Sequence, residues 1–261
     1  MLLRRVIEHV RTQNWTAIGI DFVIVVVGVF MGIQLGNWNQ ARQEQQRGAV
    51  YADRLTADLR VEYDYILSLI DYTQDTFDAG NQAYLGLTGQ VEMSDAEILI
   101  NAFRASQYNW YERRRSTFDE LVAAGATGLI QDEVLRVAAF SNYSTPLFDI
   151  MREEGGAAVY RRLFRQRIEP SVTEALRREC GDRQLDSNDR QMILLTLSYA
   201  CTIDLDEDIL AREVAVLRDK PDLLDALRER NAQRAGRIFD MKITLESSGL
   251  NDIFANQGEA P

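Results

Sequence analysis

The chain has 261 residues, of which 46% are hydrophobic and 26% charged, a balance typical of a folded protein and not of a disordered one. Its formal net charge of −11 argues against nucleic acid as a partner, because phosphate contacts require a basic surface. The single histidine, His9, excludes Ser-His-Asp, Cys-His and histidine-ligated metal centres from the rest of the chain. We therefore expect no metal, no cofactor and no catalytic residue of these kinds.

The first predicted element is an apolar helix. Residues 17–36 read AIGIDFVIVVVGVFMGIQLG, and about 20 residues at a rise of about 1.5 Å each cover the hydrocarbon core of a bilayer. Trp15 and Trp38 flank the run as interfacial anchors, at the depth where tryptophan contacts lipid headgroups. The pattern predicts a short tail at 1–15 and a transmembrane helix at 16–36.

Two other interpretations of this run are a cleaved export signal and a buried core helix of a soluble protein. A signal peptide would use the basic residues Arg4, Arg5 and Arg11 as its start. However, the run ends in QLGNWNQARQ, which lacks the small residues of a cleavage site. A soluble core helix gives no reason for the flanking tryptophans. The membrane anchor is therefore favoured over both.

The predicted span carries a face of small residues. Gly28, Gly32 and Gly36 recur every four residues, and Asp21 lies within about 20° of the same face at about 100° per residue. Glycine lets two helix backbones approach closely in lipid, and a carboxyl group there avoids the lipid. The face predicts a homo-oligomer or association with another membrane protein. The alternative is that the glycines are incidental and Asp21 lies among the headgroups.

Two segments resemble an uncharacterised bacterial family of single-span membrane proteins. In the first, VVVGVFMGIQLGNWNQAR, a glycine-containing apolar helix is followed by Gln, by Asn-Trp-Asn and by a charged helix. The second, RRRSTFDELVAAGATGLIQDEVLRVAAFSNY, has a Thr-aromatic-x-Glu-Leu pattern, a glycine after a short helix and a further helix. The family has no established activity, so the resemblance implies a bacterial single-span topology and a helical soluble domain.

The orientation rests on weaker signals, because basic residues flank the span about equally. A span of this type normally carries the domain that follows it across the membrane. Cys180 and Cys201 are compatible with one disulfide in an oxidising compartment, or with two separate buried thiols. We predict a single-pass protein of the bacterial inner (cytoplasmic) membrane, with the N-terminus inside and the soluble domain in the periplasm.

The part of the chain after the span is predicted to begin with a long helix at residues 40–85. Its apolar residues recur at helical spacing, as Leu55, Leu59, Tyr63, Ile66, Ile70 and Phe77. A capping box from Ser94 to Glu97 predicts a helix through about residue 107. A second capping box, from Thr117 to Glu120, predicts a short helix that ends at Gly125.

Between these two helices the segment YNWYERRRSTF is a candidate contact surface. Trp110, Arg113, Arg114 and Arg115 combine a stacking face with bidentate donors, which suits an anionic ligand or an acidic partner. The alternative is that the arginines pair with carboxylates of the same domain and Trp110 packs into the core.

The remaining segments are also predicted to be helical. Helices are expected at 131–143 and 145–179, with a break at Gly155-Gly156 and a kink near Pro170. MILLTLSYAC, within 188–201, predicts a buried helix, and two further helices follow, the second beginning near Pro221. No segment alternates with a period of two beyond about five residues, so strands should be absent or minor.

The predicted fold class is therefore all-α. One N-terminal transmembrane helix continues into an antiparallel helical bundle at 37–255, in which the last long helix lies beside the first, and a frayed tail occupies 256–261. We expect an interaction, sensing or scaffold module of the bacterial envelope. The alternative is an envelope hydrolase that uses a carboxylate pair in a helical cleft, which would require two convergent carboxylates with raised pKa values.

Overall fold

The computed structural model describes residues 15–185 and 193–255 and is mostly helical, with 77% helix and 3% strand. The predicted all-α class is confirmed at this level. The chain forms two compact units, residues 1–51 and residues 52–261. The predicted tail at 256–261, His9 and the predicted tail at 1–15 apart from Trp15 lie outside the described residues.

The elements follow one another in a simple order. They are α1 (Trp15–Leu87), α2 (Asp95–Arg104), α3 (Ser116–Ala123), a 3-10 turn (Thr127–Leu129), α4 (Glu133–Ser144), α5 (Leu147–Ala157), α6 (Val159–Arg167), α7 (Pro170–Cys180), β1 (Arg183–Leu185), β2 (Leu194–Thr196), α8 (Glu207–Arg218), α9 (Pro221–Ser247) and α10 (Leu250–Phe254). The helices predicted at 16–36 and 40–85 are parts of one α-helix of 73 residues.

The first unit contains the apolar part of α1. Among the described residues, α1 is the one helix long and apolar enough to cross a membrane, judged by length and composition. Its most apolar 18-residue window has a mean hydropathy of 1.6, and none of that window is buried. The described side chains from Ile20 to Trp38 are exposed, with Phe22 at 69% and Trp38 at 64%.

The second unit has a core to which α1 contributes one face. Five of the six predicted stripe residues are buried, and Phe77 is half-buried; the five are Leu55, Leu59, Tyr63, Ile66 and Ile70. The end of α1 joins a cluster formed with α2, α6, α7, α8 and α9. Each large apolar side chain buried here stabilises the fold by about 1.5–3 kcal/mol relative to an exposed one.

Within the second unit, α9 and the adjacent part of α1 run antiparallel. Arg234 donates from Nη1 to the Thr76 carbonyl at 3.3 Å, and Asn231 donates from Nδ2 to Oδ1 of Asn81 at 3.0 Å. The later residue of α1 thus meets the earlier residue of α9. A Cβ at Gly80 would overlap the Asn231 side chain, so glycine permits this close approach.

The two predicted capping boxes have different outcomes. Ser94 is the N-cap of α2, and its Oγ accepts from the Glu97 N–H while the Glu97 carboxylate accepts from the Ser94 N–H, which confirms the first. The second prediction is wrong, because α3 begins at Ser116 and has no side-chain cap. Thr117 is buried inside the helix instead of capping it.

The breaks predicted between 145 and 179 are displaced. Gly155 and Gly156 lie in the last turn of α5, and the break predicted there occurs two residues later, at Ala158, between α5 and α6. A Cβ on Gly155 would lie 2.8 Å from Cγ of Tyr108, which shows that this glycine serves close packing and not chain reversal. Pro170 occupies the start of α7 instead of kinking a longer helix, because its missing N–H is tolerated there.

The prediction of a buried helix within 188–201 is also wrong for residues 193–201, the part of this segment that the structure describes. Leu194–Thr196 forms β2, which pairs antiparallel with β1 in the register Arg183 to Thr196. A short apolar run does not distinguish a strand from a helix by periodicity. Tertiary contacts decide the outcome: Cys180 and Cys201 form a disulfide with Cα atoms 5.4 Å apart, and Arg104 donates to the Tyr199 carbonyl at 2.9 Å.

Candidate functional site

An arginine-lined cavity lies in the second unit between α9, α5, α1 and the loop after α2. The charged residues that line it are Glu154, Arg230, Arg234 and Arg237. Its volume of about 30 Å³ is enough for a water molecule or a small polar group. A neighbouring cavity of about 230 Å³ shares Glu154 and Arg230 with it.

Arg234 is a buried guanidinium held by backbone carbonyls. Its side chain is 3% exposed, and its Nη2 donates to the carbonyls of Ala105 at 2.6 Å and Gln107 at 3.1 Å. These carbonyls follow the C-terminal end of α2, where the last carbonyls of a helix lack intrahelical donors and favour a cation. Among the described residues no carboxylate forms an ion pair with Arg234. Burial and the charge of Arg230 lower its pKa to about 9.

Arg230 and Arg161 extend the positive charge around Arg234. Burial lowers the pKa of the Arg230 guanidinium, and the charge of Arg161 lowers it further, while Glu154 acts in the opposite direction. The Nη1 group of Arg230 donates to Oε1 of Gln233 at 3.3 Å. Arg161 lies over the Tyr108 ring at 4.8 Å and donates to the Ser106 carbonyl at 2.7 Å.

Glu154, the carboxylate that lines the cavity, is engaged with Arg237. The two side chains form a bidentate pair with N–O distances of 2.6 and 2.9 Å, and Arg237 also donates to Asp240 at 2.7 Å. The hydrogen bonds from Arg237 lower the pKa of Glu154, so that the carboxyl group is ionised at neutral pH. Because its oxygens already accept from Arg237, Glu154 balances the charges of Arg230 and Arg234 only in part.

A polar donor without a partner lies beside these cations. Asn109 lines the arginine-lined cavity, and its Nδ2 is buried with no hydrogen-bond partner among the described residues. Buried polar groups are normally bonded, and an unsatisfied one costs about 1–3 kcal/mol. The cavity therefore presents N–H donors and positive charge, which suits an acceptor with negative charge.

The predicted contact segment at 108–118 is partly incorporated into the core. Arg113 forms a buried ion pair with Glu62 at 2.8 Å, with side chains 9% and 1% exposed. The same carboxylate accepts from the Tyr111 hydroxyl and, at 2.7 Å, from the backbone N–H of Arg114. Glu62 thus fixes the loop to α1, and the Arg113 guanidinium is paired with the Glu62 carboxylate.

Two other predicted contact residues of this segment, Arg115 and Trp110, are exposed. Arg115 pairs with Asp119 at 3.0 Å, as the alternative of internal pairing expected. Trp110 is 43% exposed, with the Arg152 guanidinium 4.2 Å from its ring centroid, so it is not a core residue. Of the segment 108–118, Tyr108 and Asn109 line the arginine-lined cavity, and Trp110, Arg113, Arg114 and Arg115 do not.

The three glycines of the predicted membrane-association face are open in the first unit. A Cβ at Gly28, Gly32 or Gly36 would meet nothing within 4 Å. Trp38 is exposed and lies under the guanidinium of Arg42, 5.9 Å from the ring centroid. The side chains of Trp15 and Asp21 lie outside the described part of the structure.

One cleft of the second unit contains two carboxylates, as the hydrolase alternative requires. Asp71 and Asp75 line this cleft of about 430 Å³, and burial together with the charge of Asp71 raises the pKa of Asp75. Asp71, however, is exposed, whereas Asp75 is half-buried. No group of three or more potential metal ligands occurs among the residues that the structure describes.

No protein-family model, curated protein or solved structure matches this chain. The candidate functional site is therefore defined by the chain's own geometry. Its main feature is the row Arg230, Arg234 and Arg237, which the sequence shows at helical spacing of four and three residues. This row was missed at the sequence level, although arginines on the inward face of an amphipathic helix are a usable signal.

Proposed function

We propose that the chain is a single-pass protein of the bacterial inner membrane whose helical domain binds a ligand or partner in the periplasm. The observation that carries the anchoring is the unburied apolar window of α1. A soluble protein would bury such a run, because the transfer of each large apolar side chain out of water is favourable by about 1.5–3 kcal/mol. A bilayer covers the whole circumference of the helix.

The disulfide supports a location outside the cytoplasm. Cys180 and Cys201 are bonded, and no free cysteine remains in the chain. Structural disulfides persist in oxidising compartments such as the periplasm and are rare in the cytosol. This agrees with an N-terminus inside and a domain that follows the span across the membrane.

Binding is favoured over catalysis by the character of the arginine-lined cavity. Among the described residues its charged groups are Arg234, held by backbone carbonyls, Arg230, and the ion pair of Arg237 with Glu154, so it offers recognition without a poised base. The alternative function, hydrolysis by a carboxylate pair, is supported by the raised pKa of Asp75 in the cleft that it shares with Asp71. An Asp75→Asn variant that retains any hydrolase activity found for the wild type would contradict this alternative.

The glycine face is proposed as the route of association within the membrane. Glycine at 28, 32 and 36 leaves the helix surface free for a second backbone, either of another copy or of a different membrane protein. Crosslinking in intact membranes, followed by capture of the full chain, tests this directly. A Gly28→Ile, Gly32→Ile variant should lose the crosslinked product.

Gly19 provides a matched control. It lies nine residues before Gly28, and at about 100° per residue this places it on the opposite side of the helix. Gly19→Ile should keep the crosslinked product that the double variant loses. Equal products from the wild type and the double variant would refute association through this face.

A further inference from the structure

We propose that the arginine-lined cavity binds a small molecule through an oxyanion head group, a carboxylate or a phosphate, which pairs with Arg230 and Arg234. This inference rests on the proposed function of the domain as a binding module and names the class of ligand. Its basis is the charge of the cavity, the donors that line it and the second cavity beside it.

The charge argument comes from a comparison within the same domain. The buried guanidinium of Arg113 has a buried carboxylate partner, Glu62, at 2.8 Å. Arg234 is 3% exposed and, among the described residues, has carbonyl and amide acceptors and no carboxylate. A buried cation without an ionic partner is costly, and an anion bound beside it lowers that cost. Within residues 15–185 and 193–255, no carboxylate supplies this anion at Arg234.

The neighbouring charges reinforce this preference. Arg161 and Arg230 raise the positive potential at the cavity, since the charge of each lowers the pKa of a neighbouring arginine. The Glu154 carboxylate accepts from Arg237, which also donates to Asp240. Asp182 lies near Arg161, but it does not line the cavity, and its carboxylate accepts from the Tyr72 hydroxyl at 2.6 Å. The cavity therefore remains positive overall.

The donors are of the type that binds an oxyanion. The guanidinium of Arg230 has five N–H donors, and in the described structure it makes one hydrogen bond, to Gln233. Its planar fork matches two oxygens of a carboxylate or phosphate. The buried Nδ2 of Asn109, which has no partner among the described residues, lines the same cavity and adds a neutral donor.

The second cavity indicates the rest of the ligand. Its lining includes the aliphatic side chains of Ala157, Val159 and Ala226, and also Glu229. At about 230 Å³ it is smaller than a typical drug-sized site, so the ligand is a small metabolite. The Glu229 carboxylate disfavours a second negative group at that end. The ligand therefore has one anionic head and a neutral or cationic body.

The test is isothermal titration calorimetry of the full chain in detergent, with sodium phosphate and sodium acetate as probes and sodium chloride at matched ionic strength as the reference. Wild type should bind phosphate or acetate above the chloride reference, and the stronger of the two identifies the head group. Arg230→Gln should weaken that binding at least about tenfold, since charge-assisted bonds are lost. Arg230→Lys, which keeps the charge and loses the fork, should give an intermediate affinity.

Arg228→Gln is the matched control, because Arg228 lies two residues away on α9 and its side chain is 66% exposed. It should bind as the wild type does. The proposal is overturned if neither probe exceeds chloride at up to about 10 mM, or if Arg230→Gln binds as tightly as Arg228→Gln while circular dichroism shows both folded. If crosslinking in membranes still captures a partner in that case, the binding-module function stands and the ligand class alone is wrong.

Discussion

Removal of the disulfide between Cys180 and Cys201 should destabilise the domain measurably. The bond closes a loop with a sequence separation of 21 residues. In the chain-entropy treatment, closing a loop of this length lowers the entropy of the unfolded chain enough to stabilise the fold by about 3 kcal/mol. A Cys180→Ala, Cys201→Ala variant removes the bond without burying a hydroxyl at Cys180, which is fully buried.

The assay is thermal unfolding followed by circular dichroism, with the full chain in the same detergent throughout. For a domain of about 200 residues, about 3 kcal/mol corresponds to a fall in Tm of about 6–12 °C. Wild type treated with a reducing agent should unfold at the same temperature as the double variant, since both lack the bond.

The reduced wild type also serves as the control for packing changes at the substituted positions. If reduction and the double variant both leave the Tm within about 1 °C of the oxidised wild type, the stabilising role of the bond is refuted. Free thiols detected in protein isolated directly from membranes would contradict its presence in the cell, and with it the support for a periplasmic domain.

Three further predictions concern the packing of the domain and its charges. Glu62→Gln leaves the buried Arg113 without an ionic partner and should lower the free energy of unfolding by about 3 kcal/mol in urea titrations. Adding Arg113→Met should recover part of this loss. If the effects of the two substitutions are strictly additive, the coupling between Glu62 and Arg113 is refuted. Gly155→Ala should lower the free energy of unfolding by about 1–3 kcal/mol, because the added Cβ overlaps Tyr108. Gly156→Ala, whose Cβ would lie 3.6 Å from the Tyr108 hydroxyl, should be neutral or stabilising. Equal effects of the two substitutions on the Tm would contradict the packing role of Gly155. Burial raises the pKa of Asp182 above 3.8, so its contribution to stability is fully present below pH 3.8 and is lost as the pH rises through the folded-state value. Asp182→Asn, which keeps an acceptor for Tyr72, should therefore be more stable than wild type at pH 7, with a difference that closes in acid; a difference independent of pH would refute the assignment.

Local patterns predicted the parts of the fold that depend on local physics. The stripe from Leu55 to Ile70 and the capping box at Ser94 both hold in the structure, because helical spacing and N-capping act within a few residues. The all-α class was predicted correctly for the same reason. The helix break near Gly155 was predicted two residues too early, since that glycine accommodates Tyr108 from a distant loop and the helix continues to Ala157.

The burial of Arg234 in the arginine-lined cavity could not be predicted from the sequence for a related reason. The row of arginines on α9 is visible, but the sequence does not show which of them becomes buried. Arg234 is fixed by the Ala105 carbonyl, which is 129 residues away in the chain. The strand at Leu194–Thr196 likewise depends on its pairing with β1 and on the disulfide, and not on its own periodicity.

The central claim, a domain anchored by α1 and located outside the cytoplasm, can be tested through the lysines of the chain. The sequence has two, Lys220 and Lys242, and both belong to the second unit. Lys242 is exposed, and the Lys220 side chain is 43% exposed, so both can react. The measurement is labelling of intact spheroplasts with a membrane-impermeant amine reagent, followed by peptide mass spectrometry of the chain recovered from the membrane fraction.

Both lysines should be labelled to the same extent in intact and lysed spheroplasts, while a cytosolic marker protein is labelled after lysis alone. Labelling of Lys220 and Lys242 that requires lysis would contradict a domain outside the cytoplasm, and recovery of the chain from the soluble fraction would contradict anchoring by α1.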